Sequence, residues 1–404
     1  MANRTPTVLV TAFEPSGDAH AAPLVAALRQ AAPEVRVVGW GGPRMRAAGC
    51  EMVGETARDG TMALGSFAKI LSTRRTVHAI REWASGQHID VHVPVDSPAA
   101  NWHIAWWMKQ RRGAAVVNLV APQLWAWAPW RIRKWRRTSD AILCLLPFEE
   151  EWFRSRGVRA HFVGHPVLSA PIGDDVRARA ARYPAMAPNE APQSRKLLLL
   201  PGSRSNEVRD NMHHMLRIYA VVARTRPDVV GLVMAANEGL VPLVREAQAK
   251  AGLAEWPRGL SVASADAEGA IAWCDAALNV SGTVSLDLAH QRKPMVAVYW
   301  TGWIGVVGAR IMLRTPHRLL PNIVAGRRIV PEFIPIRGGE EPVAHEVARM
   351  LDDAALRTQM AGELDAVARR FEGHDPGRES ASVVLELLRA RGGAGDGADG
   401  TRQL

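Results

Sequence analysis

A run of leucines followed by small and charged residues is the first feature of the sequence that could do chemistry. Leu197–Leu200 predicts a buried strand, and Pro201 ends it. The residues that follow stand where a helix should begin: Gly202, Ser203, Arg204 and Glu207. Backbone N–H groups at a helix start attract anions, and a guanidinium binds phosphate oxygens in pairs. The pattern favours a diphosphate site no more than an ordinary strand–helix turn with a solvated Arg.

A second strand–turn–helix pattern contains Ser281, Gly282 and Thr283. The N–H groups of this turn could also contact a phosphate. Asp287 lies about one helical turn further on and could accept hydrogen bonds from ribose hydroxyls, as acidic residues do in nucleotide-binding folds. A plain helix cap explains the same residues, so both interpretations stay open.

Carboxylates follow two predicted strands in the first half of the chain. Asp96 comes directly after a strand, where it could remove a proton from a sugar hydroxyl as a general base, or form an Asx turn before a proline. The turn after the first strand contains Glu14, Ser16, Gly17 and Asp18. Ligands gather at the carboxyl ends of parallel strands, although Ser16 and Asp18 also suit a helix cap.

These turns require a parallel sheet to position them, and strands and helices do alternate along the chain. The pattern predicts an α/β protein with two doubly wound domains that face each other across a cleft. Pro94 is disfavoured in a central strand. The predicted strands are Thr7–Thr11, Val35–Gly39, Asp90–Val95, Ala115–Val120, Ala141–Leu145, Lys196–Leu200, Val229–Met234, Leu260–Ala263, Ala276–Val280 and Met295–Val298. The predicted helical segments are Asp18–Gln30, Met45–Cys50, Met62–Trp83, Trp102–Arg111 and Pro342–Arg391.

The 404 residues suit two domains rather than one core. We predict a first domain over 1–168 and a second over 169–345, joined by a segment rich in Pro, Ala and Arg. Helices are expected over 346–391 and a disordered tail over 392–404, where glycines replace apolar anchors.

The net charge of +10 suits an anionic partner. Eight of the fourteen tryptophans fall between Trp102 and Trp152, and indoles alternate with cations over Trp130–Arg137. Such a mixture is typical of a membrane–water interface or of stacking on single-stranded nucleic acid, but it also fits a basic helix face above core tryptophans. No apolar run is long enough to cross a bilayer, and the start of the chain is too quickly polar for a signal peptide.

Several site classes find no support in the sequence. It has no P-loop and no nucleophile elbow. The ordered part has no Asp-x-Asp pair, and the histidines lack convincing ligand partners. The three cysteines are far apart and have no metal-ligand spacing. We therefore expect a metal-independent site without a cofactor, in a reducing cytoplasm.

In combination, the segments resemble the bacterial lipid-A-disaccharide synthase family, whose members are glycosyltransferases of the GT-B fold. The resemblance runs from about Val8 to about Leu388. The order and spacing of the matching sequence blocks are more specific than any one block. The blocks are Glu14–Asp18, Gly41–Met45 with Gly49, Val95–Pro98, Ala121–Trp127, Leu146–Glu149, Phe162–Pro166, Leu200–Arg204 with Glu207, Ser281–Thr283, Pro294–Val296, Leu320–Asn322 and Pro331–Glu332.

The resemblance implies an inverting transfer. UDP-2,3-diacylglucosamine would donate its sugar to 2,3-diacylglucosamine 1-phosphate, which would give a β-1,6-linked disaccharide and UDP. Asp96 matches the proposed base of the family, and the Glu14–Asp18 turn matches the acceptor side. The donor side would consist of Gly202, Ser203, Arg204, Glu207, Ser281, Gly282, Thr283, Asp287 and Asn322.

The resemblance also implies a location and a chain path. Acylated sugars would be taken at the anionic inner-membrane surface, with an apolar segment at Met62–Phe67 dipping between lipids. Part of 346–391 would return to the first domain, as the last helix commonly does in this fold. The enzyme would be cytoplasmic, peripherally bound to the membrane, and would not bind nucleic acid.

This sequence also departs from the family pattern. The family usually continues the Asp96 motif with Asp-Phe-Asn, where this chain has Ala99-Ala100-Asn101. Pro335 replaces a usual Gln, and Ala128-Pro129 follows the Trp125–Trp127 block in place of Arg. Alternative interpretations are an epimerase-like or other UDP-sugar enzyme, a non-catalytic binder of UDP-sugar or lipid, and a nucleic-acid-binding protein suggested by charge alone.

Overall fold

The computed structural model describes residues 4–56, 66–183, 194–300, 315–336 and 339–395. The chain divides into two compact units. Unit 1 comprises Met1–Ser169 and Gly373–Leu404, and unit 2 comprises Ala170–Glu372.

Unit 1 contains a seven-stranded sheet in the order β3-β2-β1-β4-β5-β6-β7. Every pairing in it is parallel. The strand order reverses between β1 and β4, which makes their carboxyl ends the switch point where ligands of doubly wound sheets bind. The strands are β1 Thr7–Ala12, β2 Arg36–Gly41, β3 Glu51–Glu55, β4 Val91–Val95, β5 Ala115–Leu119, β6 Ala141–Cys144 and β7 Ala160–Phe162.

Unit 2 repeats this plan with six described strands in the order β10-β9-β8-β11-β12-β13, again all parallel. Its switch point lies between β8 and β11. The strands are β8 Arg195–Leu200, β9 Val229–Ala235, β10 Leu260–Ser264, β11 Ala276–Val280, β12 Met295–Val298 and β13 Glu332–Phe333. The prediction of two doubly wound parallel-sheet domains is confirmed.

Helices cover the sheets, and the longer ones bury apolar residues against them. The helices are α1 Pro15–Ala31, α2 Pro43–Ala47, α3 Ser66–Ser85, α4 Pro98–Arg111, α5 Leu124–Trp127, α6 Ile132–Thr138, α7 Pro147–Arg154, α8 Pro166–Ser169, α9 Val176–Ala180, α10 Ser205–Thr225, α11 Val241–Lys250, α12 Ala267–Trp273, α13 Val284–His290, α14 Leu320–Ala325, α15 Glu341–Asp352, α16 Ala354–Ala368 and α17 Pro376–Gly395. Among the described helices, none combines the length and hydrophobicity that crossing a membrane requires.

The core of unit 1 lies on both faces of its sheet. One face packs Val8, Val10 and Val93 against apolar residues of α1 and α17. The other packs Leu9 against residues of α3 and α4. Pro94 is tolerated in the central strand β4: it pairs with Thr11 of β1, while the register with β5 joins positions 91, 92 and 95.

Some element predictions were wrong. The short strands β3, β7 and β13 were missed, and the single helical segment predicted over Pro342–Arg391 is three helices. Helix α17 continues to Gly395, so the predicted disordered tail begins too early; its remainder lies outside the described residues. The apolar segment at Met62–Phe67 also lies outside them, apart from the backbone at the start of α3.

Candidate functional site

The predicted base and the predicted acceptor turn meet at the switch point of unit 1. Asp96 follows β4 and the Glu14–Asp18 turn follows β1, the neighbouring strand. The Ser16 hydroxyl donates a long hydrogen bond of 3.4 Å to Oδ2 of Asp96. Gly17 permits this approach: a Cβ there would lie 3.3 Å from Cβ of Ala12 and 3.4 Å from the Val95 carbonyl oxygen. The sheet therefore brings Asp96 and this turn together, as the sequence predicts.

The backbone around Asp96 adopts an uncommon conformation. Asp96 and Ser97 have φ angles of 49° and 45°, in the left-handed region that residues other than Gly rarely adopt. The buried amide of Asn101 lies beneath this turn, and its Nδ2 donates to the carbonyl oxygens of Val95 and Asp96 at 2.9 and 2.8 Å. Sequence reasoning missed Asn101, although it stands only five residues after the predicted base.

Asp18 is not exposed to a ligand. Its carboxylate is buried and accepts hydrogen bonds from the backbone N–H groups of Gly42, Arg44 and Met45, at 2.9 to 3.0 Å. These N–H groups belong to the start of α2, so Asp18 caps that helix and ties it to α1. The turn thus contains one structural carboxylate, Asp18, beside the partly exposed Glu14 at the N-cap of α1.

Two histidines that the sequence did not single out lie near Asp96. Burial lowers the pKa of His20, against the opposing field of Asp96. Its ring meets that of His165 edge to face, at 5.7 Å between centroids. Burial also lowers the pKa of His165 to about 3. Both rings are therefore neutral at pH 7, and neither supplies a positive charge to pair with the Asp96 carboxylate.

Two further blocks of the family pattern meet beside this edge. Glu149, after β6, is buried, and its carboxylate accepts from the Trp125 indole N–H at 2.9 Å and from the Leu146 backbone N–H at 3.1 Å. Burial raises the pKa of Glu149 to about 7. The Trp125 ring also meets Phe148 edge to face, at 4.9 Å. The carboxylate therefore fixes an aromatic pair at the carboxyl ends of β5 and β6.

The predicted diphosphate turn of unit 2 is filled by its own glutamate. The Glu207 carboxylate accepts from the backbone N–H groups of Ser203 and Arg204 at 2.9 and 3.2 Å, and from the Arg204 guanidinium at 2.9 Å. Gly202 makes room for it: its φ is 107°, and a Cβ there would lie 2.7 Å from Oε2 of Glu207. The expectation of open N–H groups is therefore corrected. Glu207 caps α10, as a carboxylate at the third helical position does.

The other predicted donor residues are found at two places. Ser281, Gly282 and Thr283 form the turn after β11, and Gly282 and Thr283 are exposed. Asp287 is partly buried one turn into α13, and burial raises its pKa to about 6. Tyr299, at the end of β12, lies in the fields of Glu207, Asp210 and Arg204, and burial raises its pKa. The sequence did not single out this tyrosine.

Asn322 binds backbone rather than an exposed surface. The side chain is fully buried, donates to the Val330 carbonyl at 2.9 Å, and accepts from the backbone N–H groups of Ile329 and Val330 at 2.9 Å each. It thereby joins α14 to the segment before β13. In the part of the chain that the structure describes, no group of three or more His, Cys, Asp or Glu residues could hold a metal ion.

The tryptophan-rich segment forms a basic surface on unit 1. Of its eight tryptophans only Trp135 is buried; Trp106 and Trp130 are 38 % and 61 % exposed. Cations lie over the rings, with Lys134 4.6 Å from the Trp102 centroid and Arg131 4.7 Å from the Trp127 centroid. The interpretation of a helix face above core tryptophans therefore holds in part: Trp135 is in the core, and the half-buried Trp107 and Trp152 pack against it, whereas Trp106 and Trp130 are exposed.

The two sheets, with turns gathered at their switch points, define the class: this is an α/β protein of the GT-B type. Solved structures of that class match it along nearly its whole length. The UDP-GlcNAc 2-epimerase from Neisseria meningitidis bound to UDP-GlcNAc has a TM-score of 0.61 at 13 % identity, covering 95 % of this chain and 100 % of that one. The calicheamicin glycosyltransferase CalG4 has a TM-score of 0.60 at 16 % identity, covering 96 % and 99 %.

Sequence comparison narrows the class to one family. The family model described as Lipid-A-disaccharide synthetase matches residues 8–376. The lipid-A-disaccharide synthase of Myxococcus xanthus is 33 % identical, covering 95 % of this chain and 98 % of its own length. That of Ruegeria pomeroyi is 33 % identical, covering 96 % of each. The chain belongs to the lipid-A-disaccharide synthase family, and it is a glycosyltransferase of lipid A synthesis.

Proposed function

We propose that this enzyme transfers 2,3-diacylglucosamine from UDP to 2,3-diacylglucosamine 1-phosphate with inversion, forming the β-1,6 disaccharide and UDP. The observation that carries the proposal is the position of Asp96 at the switch point of unit 1, in contact with Ser16 of the acceptor turn. An inverting transfer needs a base on the acceptor hydroxyl, and this carboxylate is only partly buried.

The donor would bind to unit 2, with Arg204 on the departing diphosphate. The Arg204 side chain is 69 % exposed and its guanidinium is held by Glu207. A diphosphate carries the same kind of oxygens as the Glu207 carboxylate, and it would take over the N–H groups of Ser203 and Arg204 as Glu207 moves aside. We propose that the Ser281–Thr283 turn and Asp287 complete the donor side, and that no metal or cofactor takes part.

The test is UDP release from the purified enzyme given the UDP-sugar with and without the acceptor. Release should depend on the acceptor. Asp96→Asn should lower kcat by at least about 100-fold because the base is lost, while UDP affinity stays unchanged. Asp174→Asn, an exposed carboxylate of unit 2, is the matched control and should retain full activity.

Other outcomes separate the competing functions. UDP binding without release would indicate a non-catalytic relative or a different acceptor, and would direct attention to Ala99 and Ala100, which lie in the first turn of α4 next to the base. Conversion of a soluble UDP-sugar without any acceptor would indicate an epimerase-like reaction. Full activity of Asp96→Asn would remove Asp96 from the mechanism.

We propose that the basic tryptophan surface of unit 1 contacts an anionic membrane, where the acylated substrates reside, on the cytoplasmic side of the inner membrane. Three groups support this proposal: the exposed indole of Trp130, the neighbouring Arg131, and the cations that surround His103. Burial and the fields of Arg81, Lys134 and Arg74 together lower the pKa of His103. Indoles and cations on one surface suit the headgroup region.

Sedimentation with phosphatidylglycerol vesicles tests the membrane proposal. The double variant Trp130→Ser/Arg131→Ser should lower the partition coefficient about tenfold, since each cation near an anionic surface contributes about 1 kcal/mol and the indole adds to it. Arg245→Ser is the control, because Arg245 also lies over a tryptophan, Trp256, but on unit 2. Equal binding of the double variant and the native enzyme would exclude this surface.

A further inference from the structure

We propose that Asn101 is the positioning residue of the reaction: it fixes the direction in which Asp96 presents its carboxylate. This inference rests on the proposed function, in which Asp96 is the base. It adds a residue that touches no substrate and acts only through the backbone of the Asp96 turn.

The carbonyl groups that Asn101 holds are the two that flank Asp96. The Val95 carbonyl belongs to the peptide plane before the Asp96 Cα, and the Asp96 carbonyl belongs to the plane after it. Nδ2 of Asn101 donates to both, at 2.9 and 2.8 Å. Fixing both planes fixes φ and ψ of Asp96, and these angles determine where its Cβ and carboxylate point.

The conformation held in this way needs support. Asp96 and the next residue, Ser97, both lie in the left-handed region, which is unfavourable for residues with a Cβ. Such backbone persists only where the surroundings over-determine it. The Asp96 N–H also donates to the Leu119 carbonyl of β5 at 3.0 Å, and the Asn101 N–H donates to the Ser97 carbonyl at 3.1 Å. The turn is thereby held from the neighbouring strand and from the helix that follows it.

The orientation of the Asn101 amide is itself determined. Carbonyl oxygens only accept, so the NH₂ group must face Val95, Asp96 and also the Thr11 carbonyl, at 3.2 Å. This leaves Oδ1 facing the Thr11 hydroxyl, which donates to it at 2.7 Å.

The only hydrogen of the Thr11 hydroxyl is used in this donation to Asn101. The hydroxyl must therefore accept from Nε2–H of His92, at 2.9 Å. His92 is fully buried, and its burial lowers its pKa to about 3, so the ring is neutral with the proton on Nε2. Every hydrogen bond in the chain of groups therefore has one direction, and the amide cannot flip without breaking it.

Steady-state kinetics of the full-length enzyme test the proposal. Asn101→Ala and the isosteric Asn101→Asp, whose ionised carboxylate only accepts hydrogen bonds, should lower kcat by about 30-fold or more, with the KM for the UDP-sugar within about twofold. Asn118→Ala is the matched control. Asn118 is also a buried asparagine of unit 1. It precedes Leu119 on β5, but its Oδ1 accepts from the Ser139 hydroxyl at 2.6 Å and not from a group of the Asp96 turn. It should lower the melting temperature but leave kcat per folded molecule unchanged.

A rescue variant separates positioning from simple loss of stability. Glycine enters the left-handed region at no steric cost, so Ser97→Gly added to Asn101→Ala should restore part of the lost kcat, at least about threefold. If the single variants fold poorly, this double variant still tests the proposal, because glycine removes the cost of the left-handed conformation at one of the two residues, so less support from Asn101 is needed to hold the turn.

The outcomes are distinguishable from those of the proposed function. A native enzyme without acceptor-dependent UDP release would overturn the proposed function, and the positioning role with it. An active native enzyme whose Asn101 variants keep full kcat would overturn this inference alone. So would a loss of kcat in Asn118→Ala equal to that in Asn101→Ala, or no recovery with Ser97→Gly, since either result would reduce Asn101 to a stabilising residue.

Discussion

Glu149 has the most perturbed environment of any described carboxylate near the carboxyl ends of the unit 1 strands. It is 2 % exposed, and its N–H donors, Trp125, Leu146 and Leu145, only partly offset the cost of burying its charge. Its pKa is therefore raised from 4.5 to about 7. A group with these values makes the stability of unit 1 depend on pH in the range where the enzyme would work.

The sign of that dependence follows from proton counting. Between pH 4.5 and 7 the folded protein keeps a proton on Glu149 that the unfolded chain has released. The free energy of unfolding therefore falls as the pH rises through this window, by about 3 kcal/mol in all at about 1.4 kcal/mol per pKa unit. Glu149→Gln imitates the neutral form and removes this loss, so its stability relative to the native protein should increase from pH 5 to pH 8.

Urea denaturation followed by tryptophan fluorescence across this pH range measures the effect. Glu151→Gln, an exposed glutamate on the same helix, should give a curve parallel to that of the native protein. A parallel curve for Glu149→Gln as well would mean that Glu149 is already ionised at pH 5.

The sequence located the residues of the candidate site better than it assigned their functions. Asp18, Glu207 and Asn322 were all predicted to contact substrates, yet each binds backbone N–H groups of its own unit. For Asp18 and Glu207 the reason is physical: the N–H groups at a helix start bind a capping carboxylate as well as a ligand phosphate. Asn322 instead binds N–H groups of the segment before β13. Residue type and spacing do not distinguish the two, whereas Asp96, placed beyond the end of a strand, was placed correctly beside the acceptor turn.

At the scale of elements, buried strands and long amphipathic helices were predictable because their hydrophobic periodicity is strong. The three missed strands are short or lie at sheet edges. The outermost strands β3 and β7 have five and three residues, and β13, at the other sheet's edge, has two. Short edge strands carry little alternation and few fully buried residues, so their sequences resemble loops. Their positions follow only from pairing with a neighbour, which a single sequence does not reveal.

Helix α4 connects element and site. It begins at Pro98, directly after the left-handed pair, and its fourth residue is Asn101. The start of the helix therefore places the amide one turn above its own N-cap, where it reaches back to the end of β4. The spacing of five residues between Asp96 and Asn101 is visible in the sequence. Only the conformation of the turn shows that the Asn101 amide binds the carbonyl groups on either side of Asp96.

At the scale of the whole molecule, the chain builds unit 1 from two distant segments. Residues from Gly373 onward belong to unit 1, whereas α15 and α16 belong to unit 2. Helical periodicity predicted one helical segment here, but not its division into helices or the sheet that each one covers, because an apolar stripe fits either sheet. Within unit 1, α17 packs along α1, and this contact ties the end of the chain to its beginning.

Two glycine substitutions should therefore have opposite effects in the two units. Gly377, in the first turn of α17, is buried against α1: a Cβ there would lie 2.7 Å from the Pro23 carbonyl oxygen. Gly377→Ala should force the two helices apart and lower the stability of unit 1 by about 1–3 kcal/mol. Gly362, exposed in α16 of unit 2, has open space around it, so Gly362→Ala should raise the stability of that helix by about 0.5–1 kcal/mol.

Native-state hydrogen exchange, measured peptide by peptide, distinguishes the units. Helix α1 should lose protection only in Gly377→Ala, and α16 should gain protection only in Gly362→Ala. A methyl group cannot fit into so close a contact between two backbones unless the helices move apart. Unchanged protection of α1 in Gly377→Ala would therefore mean that the packing of α17 does not stabilise α1.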